Sequence, residues 1–295
     1  MTKNVLIPRL PKEVVRRLRA STNSFTVDAD QWIEKLNVLG AKLPHRYGWR
    51  FRTVDAINEE AKVIASTASD KLALNALYWQ DQLGNWEAYS LMNTWRMVDL
   101  ARSCVWALGR QDAICASLLA RSALETAVAF VDSARTVSAT IEEASILNPE
   151  IDIRALRAPS QALEDYSLKT IFASRLQDTE VIYEPTNIVT IIKRVAKTKQ
   201  AAFIFSNYEL LCEVAHPNYI GRTLYLQEKE LGPWEGNELR TLGPGNGPTW
   251  HLLETAVVTA LSWSCGAQVS AFELLNQTIH RVMERLSSAK SLPDA

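Results

Sequence analysis

The chain has 295 residues, of which 47% are hydrophobic and 22% charged, with 32 Lys and Arg against 33 Asp and Glu. This is an ordinary soluble, globular composition at a length that buries a sizeable core, and a net charge of −1 gives no bulk attraction to a polyanion. Four widely spaced cysteines, with no CxxC pair among them, exclude a disulfide scaffold and a zinc knuckle.

Residues 1–20 carry Lys3, Arg9, Lys12, Arg16, Arg17 and Arg19 against only Glu13. Pro8, Arg9, Pro11 and Lys12 interrupt the apolar start Val5-Leu6-Ile7, so no signal peptide is expected, and the segment reads as a basic, solvated arm. Asp28-Ala29-Asp30 opens a short amphipathic helix with Trp32, Ile33, Leu36 and Leu39 on one stripe, stopped near Gly40. A basic-aromatic run follows, His45-Arg46-Tyr47-Gly48-Trp49-Arg50-Phe51-Arg52. Interleaved arginines and aromatics grip phosphates and stack bases, which makes Arg50 and Arg52 candidate RNA-binding residues, with a plain solvated loop as the alternative. Residues 1–52 are thus an N-terminal basic and aromatic extension with short helices, and 53–290 the main helical domain.

Thr53 can cap a helix carrying Ile57, Ala61 and Ile64, and Ser69-Asp70 starts another through Leu77 and Trp79. Gly84-Asn85 reads as a turn before a helix over 86–108 that stops at Gly109. Residues 111–145, rich in Ala and Leu and free of Gly and Pro, predict one long helix. Asn148-Pro149 and Ala158-Pro159 bracket a connector, and a helix is expected over 160–177. Pro185-Thr186-Asn187 starts a helix with Ile188, Ile191, Ile192 and Val195 at helical spacing. A helix from Phe203 to Ala215 delivers His216 and is ended by Pro217. Residues 218–248 form a flap in which Thr223–Leu226 and Arg240–Leu242 pair as a small β-hairpin near 222–243. Thr249 opens the last long helix, kinked near Gly266 and running to about Leu286. Glu254, Gln268 and Glu273 make its apolar run a core helix rather than a membrane span. The fold class is all-α, an up-and-down helical bundle with one small hairpin. The long apolar helices point to a homodimer in the cytoplasm, without membrane contact.

The residues with chemistry lie in two of these helices. Arg121 and Glu125, at i and i+4 in an Ala/Leu run, either pair on the surface or point into the bundle. Glu209, Glu213 and His216 share a face of the helix before Pro217, with Tyr208 and Cys212 on the adjacent one. A charge on an apolar helix face is costly unless another group answers it. The expectation is therefore that the two helices meet, with Arg121, Glu125, Glu213 and His216 facing one another. Glu213-x-x-His216 is half of a di-iron carboxylate motif, but no second Glu-x-x-His exists, so no metal or cofactor is expected. A histidine at a helix C-terminus also serves as a structural hydrogen-bonder.

The runs Pro185-Thr-Asn-Ile-Val-Thr-Ile-Ile192 and Tyr208-Glu-Leu-Leu-Cys-Glu-Val-Ala-His-Pro-Asn-Tyr-Ile-Gly221, with Arg121-x-x-x-Glu125, resemble a bacterial helical family of unassigned activity. The resemblance covers roughly residues 110–225 and implies a fold class rather than a reaction. More distantly, an Arg/Glu helix facing a helix that ends in His is similar to the HEPN superfamily of toxins, phage-defence proteins and RNA-processing factors, some of them metal-independent ribonucleases. Their motif sets Arg a few residues before His in one helix. Here Phe205 to Leu211 contain no Arg, so Arg121 or Arg222 would have to supply the cation in space. The resemblance implies a binding or assembly module in bacterial stress or phage defence, with an architectural Arg121/Glu125/Glu213/His216 cluster. Its alternative is a ribonuclease with His216 as general acid/base, Arg121 on the phosphate and Glu213 orienting the imidazole. In that alternative Tyr208, Asn218 and Arg222 line the site and the N-terminal basic region grips RNA. A metal-dependent enzyme with a Glu/His site is the third reading.

Overall fold

The structure is a computed structural model that describes residues 6–19, 24–50, 52–67, 71–143, 153–176, 183–198, 201–216, 218–232, 236–243 and 247–289. Apolar residues at helical spacing build eleven helices among the described residues: α1 (Lys12–Leu18), α2 (Ser24–Val27), α3 (Ala29–Gly40), α4 (Val54–Thr67), α5 (Lys71–Gly109), α6 (Ala113–Glu143), α7 (Ile153–Leu168), α8 (Ile188–Val195), α9 (Phe203–Ala215), α10 (Tyr219–Thr223) and α11 (Thr249–Ala289). One antiparallel hairpin pairs β1 (Leu226–Leu231) with β2 (Glu238–Leu242), running from Leu226↔Leu242 to Leu231↔Glu238 with an irregularity between Leu226 and Glu228. The fold is all-α with a small hairpin, as its periodicity predicts.

Two compact units divide the chain. The first comprises Met1–Leu43, Thr94–Ala129 and Ile188–Val269, and its core includes Ile33, Leu36, Met97, Leu124, Ile204 and Leu261. The second comprises Pro44–Asn93, Phe130–Asn187 and Ser270–Ala295, around Trp79, Leu83, Trp86, Phe130, Leu163 and Leu275. Helices α5, α6 and α11 contribute residues to both.

Local signals place many boundaries. Thr53 Oγ1 accepts a hydrogen bond from the Ala56 amide at 3.3 Å, the capping contact its hydroxyl predicts at the start of α4. Helices α8 and α9 have the bounds their patterns give. Elsewhere packing overrides the local signal. Helix α5 continues through Gly84-Asn85, where a turn is expected; glycine costs about 1 kcal/mol against alanine in a helix, and the buried Leu83, Trp86 and Tyr89 outweigh it. Pro159 lies inside α7 rather than in a connector, and α7 stops at Leu168 instead of 177. The proline removes one backbone donor, while buried Leu163 and Ser167 further along the same helix anchor it. The first strand begins at Leu226, not Thr223, because Thr223 closes α10 with its hydroxyl on the Ile220 carbonyl at 2.8 Å. Helix α11 is continuous through Gly266, whose missing side chain admits Trp32: a Cβ there would lie 2.7 Å from Trp32 Cε3. The expected helix start at Ser69-Asp70, the Asn148-Pro149 turn and the Pro217 stop lie outside the described residues.

The N-terminal segment is not a solvated arm. Asn37 exchanges two 2.8 Å hydrogen bonds with the Ile7 backbone, and the Leu10 amide donates to Asp30 Oδ1 at 3.0 Å. Ile7, Leu10, Val14 and Leu18 are buried. Among the described helices, α6 alone is long and apolar enough to cross a membrane, with mean hydropathy 1.6 over its most apolar window; 56% of that window is buried inside the protein, as in a core helix.

Candidate functional site

Helices α6 and α9 meet in the first unit. The inward face of α6 there is built on Ala116, Ala120, Ala123, Leu124 and Ala127, all buried, and α9 contributes Ile204, Tyr208 and Leu211. On the rim of this face Arg121 Nε donates to Glu125 Oε1 at 3.0 Å, with side chains 24% and 29% exposed. The guanidinium carbon of Arg121 lies 5.5 Å from the centroid of the Tyr208 ring, so the cation also faces an aromatic surface.

Burial, first, and then Cys212 and the Glu125 charge push the Tyr208 phenol up to about 12, against the opposing pull of Arg121. At pH 7 it is a neutral donor. Burial works against the Arg121 charge, but Glu125, Cys212 and Tyr208 offset this and hold the guanidinium above its ordinary value. The cluster is an intrahelical ion pair laid over a neighbouring helix's tyrosine, and it ties α6 to α9.

Replacing Arg121 by alanine is expected to cost about 1–2 kcal/mol, summing a partly exposed ion pair and a cation–π contact. In thermal unfolding that lowers Tm by a few degrees, and Glu125→Ala lowers it less. Unchanged melting of Arg121→Ala would show that the cluster holds nothing together.

Glu213 and His216 stand apart from this cluster. Glu213 Oε1 accepts from Asn218 Nδ2 at 2.9 Å. His216 caps α9 through its backbone, donating to the Cys212 carbonyl at 3.0 Å, and its side chain is exposed. Among the described residues no hydrogen bond, ion pair or ring contact joins either side chain to Arg121 or Glu125. The reason is helical geometry: eight residues at about 1.5 Å per residue put His216 roughly 12 Å along the axis from Tyr208. Glu209 is exposed as well. The close approach of Gly221, where a Cβ would meet the Glu213 carbonyl at 3.1 Å and that of His216 at 3.5 Å, brings α10 back over the end of α9. Exposed His216, Asn218 and Arg222 therefore share that end.

In the second unit, Arg52 is held at 3.0 Å by Asp81 and at 2.8 Å by Glu60, which takes it from phosphate binding. Its neighbours dock too, Tyr47 on Glu87 at 2.7 Å and Trp49 Nε1 on Asn85 at 3.0 Å. Burial and the Glu87 carboxylate push the Tyr47 phenol up to about 12. Arg50 remains exposed. Among the described residues no three His, Cys, Asp or Glu side chains gather closely enough to share a metal ion.

One strong electrostatic contact escapes sequence reasoning. Arg17 on α1 grips Glu254 on α11 with Nε to Oε2 at 2.7 Å and Nη2 to Oε1 at 2.5 Å. The signal was half present, since a lone acid in an apolar helix needs a cation, but the partner lies 237 positions away. No protein-family model, curated protein or solved structure matches this chain.

Proposed function

We propose that this protein is a non-catalytic binding or assembly module of HEPN-like type, cytoplasmic and homodimeric, serving bacterial stress or phage defence. The observation that carries this reading is the engagement of Arg121: Glu125 and Tyr208 occupy it, away from the histidine that would complete a ribonuclease site. The free thiols of Cys104, Cys115, Cys212 and Cys265 agree with a reducing compartment. RNA, the partner class suggested by the basic N-terminal region, retains Arg9, Lys12, Arg16, Arg19 and Arg50 as exposed cations, while Arg17 and Arg52 are engaged.

A second reading draws on the exposed end of α9. His216 there is solvent-accessible, and the return of α10 sets Arg222 at the same end, so a metal-independent ribonuclease would use His216 with Arg222 in place of Arg121. Labelled RNA incubated with pure protein in chelator, beside His216→Ala, separates the two. The module reading expects equal, background-level cleavage from both proteins. Cleavage by the wild type that His216→Ala abolishes would overturn it in favour of the enzyme.

A further inference from the structure

A cleft of about 350 Å³ opens in the first unit where the N-terminal segment crosses the end of α5. Pro8, Arg9 and Pro11 form one wall, and Trp106, Gly109 and Arg110 the other. Pro11 is seated against Gly109, where a Cβ would lie 3.6 Å from Pro11 Cγ. The walls are fixed: Ile7 and Leu10, on either side of Pro8 and Arg9, are pinned by Asn37 and Asp30.

Three features of the lining are unusual together. Trp106 is 57% exposed on a helix whose neighbours Val105, Ala107 and Leu108 are buried. Arg9 and Arg110 are both exposed, and among the described residues neither guanidinium has a hydrogen-bond or ion-pair partner. Arg110 is not needed to cap α5, because the last carbonyls are taken by backbone donors: Arg110 N on Trp106, Gln111 N on Leu108 at 3.1 Å and Asp112 N on Ala107 at 2.9 Å. Among the described residues no carboxylate lines the cleft. Arg17, Arg52, Arg102, Arg121 and Arg240, by contrast, are paired with acids.

We propose that this cleft binds a nucleotide unit, its base stacked on Trp106 and its phosphate held by Arg9 and Arg110. A flat, exposed indole in a cleft that also carries two unpaired guanidiniums matches a π face joined to an anion, and the volume lies at the small end of ligand clefts, about 300–1,000 Å³. Guanidinium forks suit phosphate oxygens, and indole stacking tolerates any base. Exposed Lys12 and Arg16, one turn apart on α1 directly beyond Pro11, extend the positive charge along the track a strand would follow. The proposal rests on the binding-module reading and names its partner chemistry as RNA, at a place other than the Arg50/Arg52 loop.

The test is fluorescence anisotropy of full-length protein with a 5′-labelled twelve-residue oligouridylate at low salt, with AMP as free-nucleotide competitor and a polyaspartate peptide as acidic-polymer control. Trp106→Ala and Arg110→Ala are each expected to weaken binding roughly tenfold, with Trp106→Phe retaining most of it, since one stacked base or one phosphate fork accounts for that factor. Both positions are exposed, so melting should not change. AMP competition assigns the pocket to a free nucleotide, and its failure beside tight oligonucleotide binding assigns it to a strand; either supports the site. Wild-type binding that Trp106→Ala leaves unchanged overturns the site while keeping an RNA-binding module. Equal competition by polyaspartate reduces the cleft to a polyanion surface and overturns it, as does no binding of either nucleotide form.

Discussion

Arg17→Ala is expected to destabilise the protein by about 3 kcal/mol, a drop in Tm of roughly 5–10 °C for a chain of this size. Glu254 is only 1% exposed, on a helix face otherwise made of Leu253, Ala256, Val257 and Val258, and both its oxygens are taken by one guanidinium. Truncating Arg17 leaves an ionised carboxylate, or its proton-bearing form, without its donors in an apolar setting. Removing one partner of a buried pair costs far more than the pair contributes, because the survivor keeps its desolvation penalty. Arg17 itself is 26% exposed, so water softens the loss and the estimate sits at the low end for buried pairs. The double variant Arg17→Met with Glu254→Leu removes both charges and should regain most of the stability. Thermal melts of the single and double variants check this: an Arg17→Ala protein that melts with the wild type, or a double variant as unstable as the single, would refute the account. The consequence reaches function, because α1 follows directly on the wall that carries Arg9, so the Arg17–Glu254 contact helps fix the proposed nucleotide cleft.

Trp86→Ala is expected to cost about 4 kcal/mol. Trp86 is fully buried in the second unit, stacked on Tyr166 with ring centroids 5.6 Å apart and edge-on to Tyr89 at 5.5 Å. Alanine would leave a cavity between the buried Tyr89 ring and the half-buried Tyr166 ring, which their own packing keeps from collapsing into it. Tyr166 donates weakly to Asp132 and Ser133, which further fixes its position. Among the described residues the indole Nε1 of Trp86 has no hydrogen-bond partner, so Trp86→Phe loses volume but no polar contact and should cost only about 1–2 kcal/mol. Chemical denaturation of both variants measures the contrast. An alanine variant within about 1 kcal/mol of the wild type would mean that the site repacks, against this description of a rigid aromatic cluster.

Both expectations turn on contacts that local patterning does not display, and the same division runs through the molecule. The period of apolar residues placed α3, α8, α9 and α11, and Thr53 announced its own helix, because those signals act within a turn or two of the residue that carries them. Gly84 and Pro159 announced breaks that did not occur, since burial of Trp86 and Leu163 outweighs a local penalty of about 1–3 kcal/mol. The pairing of Arg121 with Glu125 was legible from four-residue spacing. Its seat on the Tyr208 ring, and the separation of His216 from it, were not: helical spacing gives the face a residue occupies but not the level at which a neighbouring helix crosses it.

The amino-acid sequence by itself determined an all-α protein, with its hairpin confined to the Gly/Pro-rich segment and its charged residues concentrated in a few helices, because helix periodicity and turn chemistry are local properties of the chain. Tertiary structure alone decided which cations are free. Packing brought Asp81 and Glu60 to Arg52 and Glu254 to Arg17, and left Arg9 and Arg110 exposed in the cleft that Trp106 lines. Charge pairing across such distances depends on where helices come to rest against one another, and that is set by burial of apolar faces rather than by the sequence spacing of the charges.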